Sequence, residues 1–150
     1  MPQSLSLILV HLIFSTKDRE PFIHSDVEGD LHGFLGGIGR DCHCPALTIG
    51  GMADHVHVLT SVSRTTTVAQ LVEELKTRSS KWIKDKGPAY ELFHWQNGYG
   101  AFSIGKSQED VVRAYITGQK EHHRQTTFQE EFLAFLKKYG VEYDERYIWE

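Results

Sequence analysis

The order of the apolar runs along the chain constrains its fold more than any other feature. Residues 5–14 form a β-rich run, and residues 25–38 place apolar side chains at helical spacing. Residues 46–62 contain two β-rich runs separated by a glycine-containing turn, which is typical of a hairpin. A longer helical pattern over residues 65–87 precedes a short strand near residues 101–104. This order predicts an α+β domain of split β-α-β type, with two helices covering one face of a mainly antiparallel four-stranded sheet.

The composition indicates one globular domain spanning residues 1–150. Hydrophobic residues make up 40% and charged residues 24% of the chain, which is the balance of a protein that buries a core. The apolar segment 5–14 is too short to cross a bilayer and lacks the flanking pattern of a cleaved leader, so we expect a strand of an intracellular protein. The tail over residues 141–150 is too aromatic to be a free disordered end.

The net charge limits how the chain could bind nucleic acid. A formal net charge of −4 argues against binding by bulk electrostatics, because phosphate-dominated affinity usually requires an excess of basic residues. Any contact with DNA must therefore be local. The helix over residues 65–87 carries a basic stripe that could bind phosphates, although a solvated face is the alternative. The stripe consists of Lys76, Arg78, Lys81 and Lys84.

The two cysteines do not form a disulfide framework. Cys42 and Cys44 flank His43, and a zinc site on these three residues would lack the second cysteine pair that completes a tetrahedron. Two cysteines in 150 residues are consistent with a reducing compartment. We expect free thiols in a turn.

The segment ADHVHVLT, residues 53–60, places two histidines within a predicted strand. Because side chains alternate between the faces of a strand, His55 and His57 share one face while Val56 and Val58 take the other. Two imidazoles on one face can occupy two positions of one metal ion, and a buried pair would otherwise need hydrogen-bond partners. Polar positions that face water are the alternative, so a metal site requires a third ligand.

The segment over residues 107–125 predicts a helix with an unusual polar face. Tyr115, Gln119 and His122 lie at positions i, i+4 and i+7, on the same side of this helix. Tyr115 could project into a cleft, or it could pack with a hydrogen-bonded hydroxyl. Gly118 within the helix indicates either close approach of another group to the backbone or a tolerated defect.

Three motifs together carry a resemblance to a known family. The His55-Val56-His57 triplet resembles the His-hydrophobic-His motif of the HUH endonuclease superfamily. Together with WQNGYGAFSIG (95–105) and YITGQKEHH (115–123), it makes the chain similar to the single-tyrosine (Y1) transposases of the IS200/IS605 type. The resemblance runs from HLIFSTKDREP to EYDERYIW. It implies a ferredoxin-like, RRM-like antiparallel sheet with helices packed on it and a C-terminal helix that carries the tyrosine.

The resemblance also implies an activity. Members of this family form homodimers and cut and rejoin single-stranded DNA next to subterminal hairpins, through a 5′-phosphotyrosine linkage and a free 3′-hydroxyl. The metal-binding histidines fall on His55 and His57, the nucleophile on Tyr115 and the third ligand on Gln119. Their donor atoms suit Mg²⁺ or Mn²⁺ with an open position, although two histidines by themselves would favour a later transition metal such as zinc. The protein is then expected in the prokaryotic cytoplasm, associated with the nucleoid when bound to DNA.

Further residues are candidates for supporting roles around this chemistry. Phosphates of a DNA hairpin require basic side chains, and unpaired bases require stacking or edge hydrogen bonds. The candidates for phosphate contacts are Arg78, Lys81 and Lys84, with Lys17 and Arg19 after the first strand. The candidates for proton transfer or for positioning water on the ion are His11, His122 and His123.

Two other classes of function remain open from the sequence. A non-catalytic nucleic-acid-binding module of RRM-like fold would use the histidines as polar positions only, and it gives no role to Tyr115 beside Gln119. A metal-dependent hydrolase would activate water, form no covalent intermediate and keep its activity in a Tyr115→Phe variant.

Overall fold

The computed structural model, which describes residues 2–150, has the predicted α+β architecture. Its four strands are β1 (Leu9–Ser15), β2 (Ala46–Met52), β3 (His55–Ser61) and β4 (Gly100–Ile104). They form one antiparallel sheet in the order β2-β3-β1-β4, so β1 pairs with both β3 and β4. This is the strand order of a ferredoxin-like fold, and the predicted fold class is confirmed.

The helices described within residues 2–150 cover both faces of this sheet. They are α1 (Ser25–Asp41), α2 (Val68–Lys84), α3 (Glu109–Thr117), α4 (Gln119–His122) and α5 (Phe128–Lys138). None of the helices described in this range is long and apolar enough to cross a membrane.

The predicted two-helix layer buries one face of the sheet. Leu12 and Phe14 of β1 and Val56 and Val58 of β3 pack against apolar side chains of α1 and α2 in the largest hydrophobic cluster. A capping box at Thr67 begins α2, since its side chain accepts a hydrogen bond from the backbone of the third helical residue and the reciprocal bond is also present. Side chains on alternate positions of β1 and β3 therefore point to the other face, where the two histidines of β3 lie.

The second face is covered by α3, α4 and α5, and α5 is absent from the sequence prediction. Phe128 and Phe132 of α5 pack against Ile13 of β1 and Phe102 of β4. The tail joins the same cluster through Trp149, as expected from its aromatic content. The sheet thus lies between two helical layers, and residues of the second layer can reach the histidines.

The first strand and the first helix differ from prediction at their ends. β1 begins at Leu9 and not at residue 5, because pairing with both neighbouring strands starts only at Leu9. The predicted end of α1 at Ile38 is too early, since the helix continues to Asp41. A Cβ on Gly39 would lie 2.7 Å from the carbonyl oxygen of Cys44. This glycine therefore permits close packing of the following turn and does not end the helix.

The helix predicted over residues 107–125 is divided at Gly118. A short 3-10 turn precedes α3, and Gly118 is the residue between α3 and α4. A Cβ on Gly118 would meet only carbonyl oxygens of the preceding turn, so no distant group approaches the backbone there. The close approach occurs at Gly50 of β2, where a Cβ would overlap the carbonyl oxygen of Ile116 in α3.

Gly50→Ala is therefore expected to destabilise the protein by about 3 kcal/mol, because the added methyl group would push α3 away from the sheet. Denaturant unfolding measures this change. Gly33→Ala is the matched control: a Cβ on Gly33, in the interior of α1, has no atom within 4 Å. It should stabilise the protein by up to about 1 kcal/mol through helix propensity. Equal effects of the two substitutions would contradict the close contact between β2 and α3.

Candidate metal and tyrosine site

The histidine pair lies on the sheet face under α3, α4 and α5. His55 and His57 are fully buried, and their ring centroids are 5.1 Å apart on one face of β3, as the alternation of the strand predicts. The Nδ1 atom of His55 lies 2.7 Å from a carboxylate oxygen of Asp54, and that of His57 lies 2.8 Å from Nε2 of His11. Both rings are thus held from behind, with Nε2 directed into the space beneath α5.

A buried carboxylate from α5 lies at the centre of this space. Glu131 is 2% exposed, and its Oε1 atom lies 3.0 Å from Nε2 of His57. The same oxygen lies 3.3 Å from Nε2 of His123 and 3.5 Å from Nε2 of His55. These four side chains bring one ligand atom each within 4.8 Å of one another. Three imidazoles and one carboxylate therefore surround a single point.

The other oxygen of Glu131 contacts the tyrosine helix. The Tyr115 hydroxyl donates a hydrogen bond to Oε2 of Glu131, and Nε2 of His122 lies 3.3 Å from the Tyr115 hydroxyl. The side-chain amide of Gln119 donates to the same carboxylate oxygen over 3.1 Å. One carboxylate thus joins the histidine cluster to the phenol, all within one chain.

The hydrogen-bond partners leave more acceptors than donors at the centre of the cluster. Nδ1 of His123 can only donate to the carbonyl oxygen of Thr126, and Nδ1 of His55 donates to Asp54. In their neutral forms both rings then present a lone pair at Nε2. The Oε1 atom of Gln119 lies 3.0 Å and 2.9 Å from these two nitrogens, and the buried carboxylate is a further acceptor. Several hydrogen-bond acceptors that converge in this way can act together as ligands of a bound cation.

The protonation states of His11, His57 and Glu131 fit metal binding. Burial lowers the pKa of His57 to about 4. Burial and the neighbouring His57 lower the pKa of His11 to about 3, so both rings are neutral near pH 7. Burial alone would raise the pKa of Glu131, but hydrogen bonds from His123 and His57 outweigh it and hold the pKa well below its usual range. Burial lowers the pKa of His123, but the hydrogen bond to Glu131 outweighs it and raises this pKa, because the ring donates to Glu131 in its protonated form. Neutral imidazoles and an ionised carboxylate are the forms that bind divalent ions, so a metal ion at His123 must displace this proton.

The tyrosine itself is kept in its neutral form. Burial, and next its hydrogen bond to the Glu131 carboxylate, raise the pKa of Tyr115 above its ordinary value. The hydroxyl therefore requires an acceptor for its proton before it can act as a nucleophile, and the Glu131 carboxylate is already in contact with it.

The structure brings together all four site residues that the resemblance implies, and Glu131 and His123 join them. His55, His57, Tyr115 and Gln119 meet within one cluster, whereas Glu131 and His123 lack any predicted role as metal ligands. A sequence signal for α5 does exist: Thr127 and Glu130 form a capping box before the apolar run FLAFL. Glu131 then falls three residues after Phe128 and four before Phe135, which places a carboxylate on the apolar face of the helix.

The predicted phosphate-binding residues of α2 do not lie at this cluster. Arg78 forms an ion pair of 2.8 Å with Asp41, and Lys81 and Lys84 are exposed. α2 packs on the opposite face of the sheet from Tyr115. Lys76 of the same stripe is held in place by the carbonyl oxygens of residues 96–98, so it serves the structure of a loop.

Of the two basic residues after β1, Arg19 lies beside the histidine cluster. Arg19 lines a cleft of about 510 Å³ together with Asp54, His123 and Arg124. Its guanidinium group lies 5.7 Å from the ring centre of Trp149. Lys17 is exposed in the same turn. Of the predicted phosphate-binding residues, Arg19 is thus the one that lines a cleft together with a member of the histidine cluster.

Comparison with known proteins identifies the class of the molecule. The profile of the family described as "Transposase IS200 like" matches residues 4–119, which include both histidines of β3 and Tyr115. The chain belongs to this family, and family membership supports a role as a transposase. Glu131 and His123 lie beyond the matched residues.

Two solved structures share the fold. A protein assigned as a transposase from Deinococcus radiodurans R1 superposes with a TM-score of 0.62 and 21% identity, covering 79% of this chain and 98% of that one. A REP-associated tyrosine transposase bound to a REP hairpin superposes with a TM-score of 0.60 and 12% identity, covering 82% of this chain and 74% of that one. No curated protein sequence gives a significant match.

Proposed function

We propose that this protein is a metal-dependent transposase that cleaves and rejoins single-stranded DNA next to subterminal hairpins, with Tyr115 as the nucleophile. The observation that carries the proposal is the contact of one buried carboxylate, Glu131, with both the histidine cluster and the Tyr115 hydroxyl. A structural core has little use for a phenol, a carboxylate and three imidazoles at one point. The family, and the hairpin bound by one structural neighbour, support the same assignment.

The metal is proposed to bind where the acceptors converge. Nε2 of His55, His57 and His123, Oε1 of Glu131 and the amide oxygen of Gln119 are the donors available to it. A divalent ion there would withdraw charge from the oxygens of the scissile phosphate. Of the two expected ions, Mn²⁺ suits three imidazole donors better than Mg²⁺, which prefers oxygen ligands.

Tyr115 is proposed to carry the strand transfer. Its hydroxyl oxygen forms a bond to phosphorus and its proton passes to Oε2 of Glu131, while the bond from phosphorus to the 3′ oxygen breaks. The 3′ oxygen takes a proton from solvent and becomes a free hydroxyl, and the 5′ phosphate remains on the tyrosine. Attack by a 3′-hydroxyl on this linkage restores a phosphodiester and breaks the bond from phosphorus to the Tyr115 oxygen. The attacking hydroxyl gives its proton to solvent, and Glu131 returns its proton to Tyr115. The number of phosphoester bonds is unchanged, so joining needs no nucleotide cofactor.

The strand is proposed to approach past Arg19, which lines the cleft beside His123. Lys17 lies in the same turn as Arg19. The far face of the sheet carries Arg78, Lys81 and Lys84, which could contact only a more distant part of a hairpin. We also propose a homodimer as the working unit. The histidines and the tyrosine meet within one chain, so the dimer would serve to hold two DNA ends.

The covalent linkage gives the decisive test. Labelled single strands from the DNA flanking the gene are incubated with the protein and Mn²⁺ or Mg²⁺ and separated on a denaturing gel. The expected result is a denaturant-stable protein–DNA adduct that requires the metal. Cleavage without an adduct would indicate a hydrolase instead, and binding without cleavage under any metal would indicate a binding module.

Metal binding predicts a thermal shift that does not depend on DNA. Mn²⁺ at 100 times its dissociation constant should stabilise the fold by about 2.7 kcal/mol, which corresponds to a rise in Tm of roughly 5–10 °C for a chain of this size. The shift should vanish in His57→Asn and persist in His94→Asn, since His94 is exposed and far from the cluster in sequence. Differential scanning calorimetry measures it. An unchanged shift in His57→Asn would place the metal elsewhere.

A further inference from the structure

A cleft whose wall includes Tyr115 opens between α3 and α5. Its volume is about 420 Å³, and its walls include both Tyr115 and Glu131, with His11 also in its lining. The remaining lining combines five apolar or aromatic side chains with four polar ones, His122 among them; the first group is Val111, Val112, Ala134, Phe135 and Tyr139. The proposed nucleophile thus forms part of the wall of an apolar cavity.

Resting on the proposed function, we propose that this cleft binds the base of one unpaired nucleotide adjoining the scissile phosphate. A phosphate that reaches the Tyr115 hydroxyl brings its two attached nucleotides to the mouth of the cleft. The base of one of them can then enter, while its sugar and phosphate stay at the cluster. The cleft is therefore a substrate subsite in a layer of the molecule that the sequence prediction omits.

The aromatic side chains of the cleft suit the flat face of a base. The ring of Phe135 is half-buried and lies 5.6 Å, edge to face, from the ring of Tyr115. Tyr139 is 36% exposed, and its ring stacks on Phe102 at 4.9 Å. Unpaired bases bind proteins by stacking on such rings, independently of their sequence. An aromatic surface held rigid by a second ring behind it is a suitable platform.

The charges at the rim are compatible with a nucleotide. Lys138 lines the cleft, and its ammonium group lies 5.5 Å from the ring centre of Tyr139, so it can accompany a backbone phosphate. The carboxylate of Glu130 also lies at the rim, but it accepts hydrogen bonds from the backbone and hydroxyl of Thr127 in the cap of α5. Among the described residues, Lys138 thus places a cation in the lining of the cleft, and the Glu131 carboxylate lies in a wall that is otherwise largely apolar.

The test combines a protein variant whose cleft is filled with DNA strands that lack one base. Adduct formation is measured with strands that carry an abasic unit at either nucleotide flanking the cleavage position. For the wild-type protein, one of the two abasic strands should react about 10-fold to 100-fold more slowly than the intact strand. Ala134→Phe, which fills the cleft from the exposed side of α5, should slow the intact strand by a similar factor. It should leave the rate of that abasic strand unchanged.

Two further variants make the comparison specific. Gln129→Phe adds the same ring to an exposed position of α5 outside the cleft and should leave every rate unchanged. Ala134→Leu fills the cleft less and serves if the larger side chain prevents folding, which circular dichroism would show. Equal slowing of intact and abasic strands by the position 134 variants would overturn the proposal. So would rates that do not depend on either flanking base.

A fluorescent base separates this proposal from the proposed function. 2-Aminopurine at the sensitive position should be quenched on binding to wild-type protein and not on binding to Ala134→Phe, whether or not the strand is cut. If no adduct forms with any strand, the transposase assignment fails while this quenching still supports a base in the cleft. Unquenched 2-aminopurine would overturn the base site. Conversion of a dimer to a monomer by Ala134→Phe, with equal slowing of all strands, would assign the cleft to a second copy of the chain.

Discussion

Replacing Tyr115 by phenylalanine is expected to abolish the covalent protein–DNA adduct, with a loss of at least about 1,000-fold in its rate of formation. The substitution removes the only atom that bonds to phosphorus in the proposed step. The ring remains, so its contacts with Phe135 and the histidines should persist. DNA affinity should change little, and stability should fall by only about 1 kcal/mol through the lost hydrogen bond.

A gel-shift titration beside the denaturing gel separates binding from chemistry in this variant. Tyr99→Phe is the matched control, because it removes a tyrosine hydroxyl from a ring that lies beside Lys76 of α2, on the other face of the sheet from the cluster. It should form the adduct at the wild-type rate. Cleavage of DNA by Tyr115→Phe at an undiminished rate would assign the nucleophile to water and the protein to the hydrolases.

Glu131→Gln is expected to weaken metal binding about 10-fold to 100-fold and to slow adduct formation by at least about 100-fold. The variant keeps the size of the side chain but removes its negative charge, which lies between His57, His123 and the Tyr115 hydroxyl. It also replaces a carboxylate that accepts a proton by an amide that does not. Isothermal titration with Mn²⁺ gives the first effect, and single-turnover adduct assays give the second.

Glu121→Gln provides the control for the change of charge near the site. Glu121 is exposed and pairs with Arg124, away from the cluster and from the cleft, so its substitution should leave both metal affinity and adduct rate close to wild type. An opposite result is informative for Glu131→Gln. Faster adduct formation would mean that the carboxylate occupies the position of the scissile phosphate and that α5 restrains the enzyme.

The sequence determined those parts of the molecule that follow from local periodicity. Alternation along β3 places His55 and His57 on one face, and helical spacing places Tyr115 and Gln119 on one side of their segment. The order of the runs sets the sheet topology, which the structure confirms. The motif set identifies the family, whose profile covers residues 4–119. All of these are properties of short stretches or of their order.

Only the tertiary structure decided what completes the site. Glu131 contacts His57, which lies 74 positions earlier in the chain. The contact exists because the apolar side chains of α5 pack on Ile13 and Phe102 of the sheet, which buries Glu131 on the same face of the helix. His123 follows the last residue of α4, the short helix after Gly118, and joins the cluster through contacts with Gln119 and Glu131. The periodicity within a helix specifies which of its faces is buried. It does not specify which residues that face contacts, because the direction of the helix axis across the sheet depends on contacts between residues distant in sequence.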